Sequence, residues 1–284
     1  MKRVITALFL VPSVAFIVLY TSAFWLMAAV FVVTLLALVE YNNLNALKAG
    51  RRRADLPGVV FGAALTPVVY LFGLEYAPPL LVAGAFSFFV FTILFGGDGG
   101  AVEVQPGAAA PLVPAGPFRD SVAEVAGKAL ALVYIALPLA YLPLARSFDR
   151  GGWWIMTLFF IVWGNDTFAY YTGRTMGAHK LSPRISPGKT VEGAVGGFVG
   201  GAVAAVLCNL LFGLGASVPA VAALSVAVGA VAVLGDLAES VLKRSAGAKD
   251  SGTMIPGHGG LLDRLDSLLF TIPVLYYFLL WNSA

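Results

Sequence analysis

The sequence predicts an all-α, polytopic integral membrane protein of about nine transmembrane helices, with a polar, cytoplasm-facing cavity in its C-terminal half. Three observations predict it. Of 284 residues, 59% are hydrophobic and only 12% charged, whereas an average soluble domain carries about 25% charged residues. Uncharged apolar runs of about 20 residues, the length a bilayer crossing needs, recur along the chain. Lys and Arg collect in alternate connecting segments. The same composition, with a mean hydropathy of +0.88, excludes an ordinary soluble enzyme and a disordered chain. A disulfide scaffold is excluded because Cys208 is the single cysteine.

The spans follow in order. Residues 4–39 carry no charge and break at Thr21-Ser22, which gives two helices. Segments 56–74 and 76–97 give one each, parted by Glu75 and Pro78-Pro79. Segment 129–145 is a fifth, and 151–172, which takes in Asp166, a sixth. Residues 193–235 are uncharged and interrupted by the Gly- and Pro-containing turn 213–219, so they read as two more; 267–281 is the last. With the N-terminus in the cytoplasm, fifteen Lys and Arg fall inside and only Arg146 and Arg150 outside, with Lys128 at a boundary. That bias fixes the orientation and sends the C-terminus out. Lys2-Arg3 before an apolar run has the start of a signal peptide, but no small-residue cleavage site precedes Trp25, so the first helix is expected to stay. Residues 97–117, rich in Gly, Ala and Pro, read as a loop without chemistry. Residues 1–120 are thus an N-terminal helical scaffold and 121–284 the functional region.

Ionisable residues at membrane depth are costly and usually functional. Glu40, Glu75, Asp98 and Asp149 sit at span ends or in loops, where solvent accounts for them. The other acids thicken toward the C-terminus. In the segment 235–266, Asp236, Ser240 and Arg244 recur at helical spacing and share a face, and Glu239 and Lys243 form an i, i+4 pair. The chain then passes Gly247, Lys249 and Asp250 and enters Ile-Pro-Gly-His-Gly-Gly, where glycines let backbone approach a ligand. Asp263 and Asp266 follow at i, i+3. Carboxylates interleaved with Lys and Arg on one membrane face point to a divalent metal with phosphates: Mg2+ takes one or two carboxylates plus phosphate oxygens and water, and the bases neutralise phosphate charge. The bland alternatives are an N-cap for Asp266 and topology or headgroup anchoring for the bases.

Upstream, residues 177–193 form a polar loop with two Ser-Pro turns. Gly188-Lys189-Thr190 ends like a P-loop, but Pro183 stands where that motif needs glycine and a membrane span replaces its strand, so a P-loop is rejected. Lys189, with Glu192 at a helix start, lies on the same side as the 236–266 cluster. Asp166, with Tyr170 one turn on, is a metal or supporting candidate, or else a buried hydrogen-bonded acid. Gly193, Gly196, Gly197, Gly200 and Gly201 make small-xxx-small repeats that permit close packing, either in a homodimer through helix 193–212 or within the chain. Cys208 lies mid-span and reads as structural, and His179 as an exposed loop residue.

The run from Ser240 through Lys243-Arg244, Lys249-Asp250 and Ile255-Pro256-Gly257-His258-Gly259-Gly260 to Asp263-Arg264 and Asp266 resembles the signature of the phosphatidate cytidylyltransferase family, the CDP-diacylglycerol synthases. Asp166, Tyr170 and Gly173, with Ser186-Pro187, Lys189-Thr190 and Glu192-Gly193, are similar to that family's second block. The resemblance implies a multi-pass enzyme of a bacterial-type inner (plasma) membrane, its site facing the cytoplasm. Such an enzyme would condense CTP with phosphatidic acid to CDP-diacylglycerol and pyrophosphate, using Mg2+, alone or with a second metal or a monovalent cation, and no nucleic acid partner. On that basis Asp236 and Asp263 are the first-choice metal ligands, with Asp166, Asp250 and Asp266 supplementary. Lys189, Arg244 and Lys249 would hold phosphates; Ser186 and Ser240 would donate hydrogen bonds; Lys243, Arg264 and Tyr170 complete the substrate set. His258 contacts phosphate or leaving group, or only supports the glycine loop. The rivals are a transporter, whose inverted repeat of broken helices is not evident in this sequence, a CDP-alcohol phosphotransferase, whose acidic quartet is not found, and a cytidylyltransferase for another lipid phosphate.

Overall fold

A computed structural model of the chain describes residues 2–49, 56–95, 121–255 and 259–283. The helices are α1 Lys2–Tyr20, α2 Ala23–Ala49, α3 Leu56–Phe72, α4 Ala77–Phe95, α5 Ser121–Ala131, α6 Leu137–Arg146, α7 Gly151–Met176, α8 Val191–Leu211, α9 Val218–Ser245 and α10 Leu262–Asn282. A π-helical turn, Leu132–Ala136, joins α5 to α6, and a 3-10 turn, Leu74–Tyr76, precedes α4. The all-α expectation is amended at one place among the described residues: β1 Lys180–Ser182 and β2 Ser186–Thr190 pair antiparallel, with Lys180 opposite Thr190 and Ser182 opposite Ser186. The expected polar loop is therefore a hairpin. The Gly/Pro-rich loop 97–117 lies outside the described residues.

Six helical stretches among the described residues are long and apolar enough to cross a membrane: Ala23–Leu44, Leu74–Leu94, Val125–Arg146, Val191–Leu211, Val218–Ser245 and Leu262–Asn282. Two further apolar stretches among the described residues, Leu8–Tyr20 and Pro57–Phe72, belong to α1 and α3, helices of 19 and 17 residues, near the ~20 residues of a full crossing. The three other spans expected from sequence are these two stretches and α7, a 26-residue helix that carries Asn165, Asp166 and Arg174.

The core forms where α2, α6, α7, α9 and α10 meet, around Leu38, Tyr41, Ile135, Ile155, Leu158, Leu269 and Ile272. A smaller cluster of Leu65, Val69, Phe88 and Leu132 joins α3 and α4 to the π-turn. Large apolar side chains such as Phe86, Ile93, Leu210 and Trp281 point outward, a distribution that suits lipid. The reversal between α1 and α2 is held by Arg146, whose Nε donates to the Val18 carbonyl at 2.8 Å and whose Nη2 donates to that of Thr21 at 3.2 Å. These carbonyls end α1 and have no partner inside the helix.

Among the described residues, α7 and α8 pack against each other most extensively. Gly193, Gly197, Gly200 and Gly201 are buried, and a Cβ at Gly197 would stand 2.6 Å from Asn165 Oδ1 and 2.9 Å from the Asn165 carbonyl. One at Gly193 would stand 2.9 Å from the Ala169 carbonyl. The glycine stripe thus packs within the chain, and the face of α8 left outward is Val195, Val199, Val203 and Leu207. Gly197→Ala is expected to lower the unfolding temperature in detergent through an overpacking cost of about 1–3 kcal/mol, even though alanine is the better helix former. An unchanged melting temperature would mean that α7 yields at this contact.

Candidate active site

The hairpin delivers Lys189 to the site because both its ends are fastened. At the end where β2 enters α8, Thr190 Oγ1 accepts from the Gly193 N–H at 3.1 Å, an N-cap. In the first turn, Glu192 accepts from the Ala178 and His179 N–H groups at 3.1 and 3.2 Å and meets His179 Nδ1 at 2.6 Å. His179 is otherwise exposed, as the sequence suggested. Between these anchors Lys189 Nζ reaches Asp236 Oδ2 on α9 at 2.6 Å.

The last turns of α9 carry the expected helical pairs. Ser240 Oγ lies 3.5 Å from Asp236 Oδ1, and Lys243 Nζ donates to Glu239 Oε2 at 2.9 Å. Lys243 also donates to Asp263 Oδ1 on α10 at 2.7 Å. Asp263 Oδ2 accepts from the Ser251 N–H at 3.0 Å and the Gly260 N–H at 2.8 Å, so its carboxylate closes the loop between α9 and α10. In that loop the Ile255 N–H donates to the Gly259 carbonyl at 3.0 Å, and Gly259 adopts φ +82°, a conformation glycine takes at little cost. Helix α10 begins at Leu262, five residues before the span expected from sequence, so Asp263 and Asp266 stand in its first turns rather than before it. Asp266 is therefore no N-cap, although its Oδ1 accepts from the adjacent Ser267 N–H at 2.6 Å.

A third carboxylate completes the group. Gly235 lets α10 approach α9 so closely that a Cβ there would stand 2.5 Å from the Asp266 carbonyl oxygen, which sets Asp236 beside Asp266. Asp166, presented by α7, lies within electrostatic reach of Asp236, Asp266 and Lys189. The structure thus gathers two adjoining sets: Asp236, paired with Lys189, beside Asp266 and within electrostatic reach of Asp166, and Glu239 and Asp263, both paired with Lys243. Each carboxylate chosen as a first-choice metal ligand holds a lysine ammonium.

The remaining predicted residues fall around these sets. Arg244, Lys249, Asp250 and Arg264 are exposed, and Ser186 is half-buried at the start of β2. Tyr170 is exposed, its hydroxyl accepting from Arg174 Nη1 at 3.0 Å. His258 lies outside the described residues. One residue escaped the sequence criteria: Glu40, assigned to solvent, is 3% exposed. Glu239, expected only as the partner of Lys243, is 1% exposed, and its Oε1 lacks a hydrogen-bond partner among the described residues. The signal at Glu40 was its place: it is the first charge after an apolar run of 36 residues, 4–39.

Among the described residues no three His, Cys, Asp or Glu side chains converge tightly enough to enclose a metal unaided. Mg2+ does not require that, since it is usually held by one or two carboxylates with substrate phosphates and water. Asp166, Asp236 and Asp266, with Lys189 paired to Asp236 alone among them, leave negative charge that a divalent cation would neutralise, and all their donors are hard oxygens. The residues present suit Mg2+.

Comparison with known proteins places the sequence in a family. The model of the cytidylyltransferase family matches residues 1–281. A phosphatidate cytidylyltransferase of Staphylococcus epidermidis is 32% identical over 255 residues, covering 88% of this chain and 88% of that protein. One of Bacillus subtilis is 41% identical over 157 residues, 55% of this chain and 58% of that protein. One of Haemophilus influenzae is 44% identical over 129 residues, 44% of each. The chain therefore aligns over only about half the length of the last two. With the family model spanning nearly every residue, the chain belongs to the cytidylyltransferase family.

Proposed function

We propose that this protein is a phosphatidate cytidylyltransferase, a nucleotidyltransferase of phospholipid biosynthesis that condenses CTP with phosphatidic acid to give CDP-diacylglycerol and pyrophosphate. The observation that carries the reading is the joining of Lys189 to Asp236 beside Asp166 and Asp266, a cation and three acids brought from a hairpin and three helices. Such a site suits a metal–nucleotide complex at a membrane face. The names of the aligned relatives support the substrate pair. The basic segments support a site facing the cytoplasm of a bacterial-type plasma membrane, with the shorter apolar helices and α7 completing nine spans. Residues 1–120 serve as scaffold and 121–284 carry the chemistry. A homodimer through residues 193–212 would use the outward Val face of α8, since the glycines are occupied.

In this reading an oxygen of the phosphatidate phosphomonoester forms a bond to the α-phosphorus of CTP while the bond from that phosphorus to the bridging oxygen breaks. Pyrophosphate leaves with the electron pair. Transfers of this kind depend on positioning and charge neutralisation, and no covalent intermediate with the protein is needed. Lys189, Arg244 and Lys249 bind the nucleotide phosphates, with His258 toward the leaving group. Ser186 and Ser240 donate hydrogen bonds, and Lys243, Arg264 and Tyr170 orient the lipid headgroup. Asp236 and Asp263 would hold Mg2+, with Asp166, Asp250 and Asp266 in support; the metal, when bound, supplies neutralisation of phosphate charge. Purified protein given labelled CTP, phosphatidic acid and Mg2+ is expected to form a labelled liponucleotide. No product from folded protein would overturn the reading, and product only with a different lipid phosphate would reassign the acceptor.

A further inference from the structure

Glu40 belongs to α2, in the half of the chain that carries none of the predicted site residues, yet it is buried at the centre of the signature loop. Its Oε2 accepts from the Leu261 N–H at 2.8 Å and its Oε1 from the Leu262 N–H at 3.0 Å. The Ser251 hydroxyl donates to Oε1 as well. Leu261 and Leu262 are the N-cap and first residue of α10, so these are N–H groups that the helix itself leaves without acceptors. A carboxylate at this end also complements the helix dipole. The backbone is wrapped tightly round it: a Cβ at Gly252 would stand 3.0 Å from the Glu40 carboxyl carbon. One at Gly260 would run into the Glu40 and Ser251 oxygens.

The hold passes directly to the site. Ser251 Oγ, while donating to Glu40, accepts from the Asp263 N–H at 3.3 Å. Asp263 in turn binds the N–H groups of Ser251 and Gly260, the residues that flank Glu40. Two acids thus share one loop, Glu40 from below the helix start and Asp263 from within its first turn. A carboxylate needs well-placed neighbours to keep it within a few tenths of an ångström of a productive position.

We infer that Glu40 is a positioning residue for the transfer reaction: it fixes the N-terminus of α10, and through Ser251 and the loop backbone it sets where Asp263 stands. The inference rests on the function proposed above, but its first readout does not. Hydrogen exchange is measured on purified wild type, Glu40→Gln, Glu40→Asp and Ser251→Ala, alongside kcat and KM for CTP. Glu40→Gln is expected to speed exchange at Leu261 and Leu262 by roughly tenfold, the scale of a lost helix cap, with the α7–α8 pair unchanged. Its kcat falls by a similar factor while KM for CTP stays put, and Glu40→Asp, which keeps the charge, recovers part of the loss. Ser251→Ala, which keeps the carboxylate and should fold if Glu40→Gln does not, shifts both readouts in the same direction by less. Unchanged exchange would overturn the inference. Faster exchange with unchanged kcat would also overturn it, leaving Glu40 with a structural role alone. If wild type makes no liponucleotide, the function fails, and the exchange data still decide whether Glu40 holds the loop.

Discussion

On the proposed function, Asp263→Asn is expected to lower the rate of CDP-diacylglycerol formation by ~10²–10³-fold, the scale of removing one preorganised electrostatic contact from a reacting site. The substitution is nearly isosteric, and the Asn oxygen can still accept from the Ser251 and Gly260 N–H groups, so the loop is preserved in outline. What is lost is charge. Lys243 Nζ, now 2.7 Å from Asp263 Oδ1, would face either an uncharged oxygen or an amide NH2, retaining Glu239 alone as its counter-ion. The folded protein should therefore insert and purify, with a stability loss of about 1–3 kcal/mol from the weakened charged hydrogen bond. Thermal unfolding in detergent separates that loss from the kinetic one. Near-wild-type turnover would remove Asp263 from the metal set and leave it as a loop clamp.

The second large effect is expected at the Lys189–Asp236 pair. Lys189→Met removes the cation that the hairpin delivers and leaves Asp236 facing Asp166 and Asp266 without a counter-charge. kcat/KM for CTP should fall by ~10²–10³-fold. Lys189→Arg should recover only part of this, because a planar, forked guanidinium does not replace a compact ammonium held at 2.6 Å. Adding Asp236→Asn to Lys189→Met should cost much less than the product of the two single losses, since groups that act as a unit lose their function together. Fully multiplicative losses would show that the two side chains act separately.

Much of this site was legible because helical spacing is local. Asp236 with Ser240, and Glu239 with Lys243, follow from four-residue intervals on one helix, and the structure shows both contacts. The joining of Lys189 to Asp236, 47 positions apart, was foreseen only as a shared membrane side. No interval rule relates a hairpin to the end of a distant helix. The hairpin itself was hidden because its strands, three and five residues long, are rich in Ser, Pro and Gly, the residues that punctuate turns. Glu40 was misread for a different reason. An acid after a long apolar run has two physical explanations, exit into water or capture by buried donors, and only the folded loop supplies the donors.

Glu40 also bears on engineering this protein by recombination. A chimaera that joins residues 121–284 to the first helices of an unrelated membrane protein would retain every residue of the signature and still lack an anion beneath α10. Two backbone N–H groups and one hydroxyl would be left in an apolar setting with nothing to accept them. A donor scaffold for such a graft is best chosen by whether its second helix can present a carboxylate at the height of Glu40, ahead of any overall similarity in hydrophobic pattern.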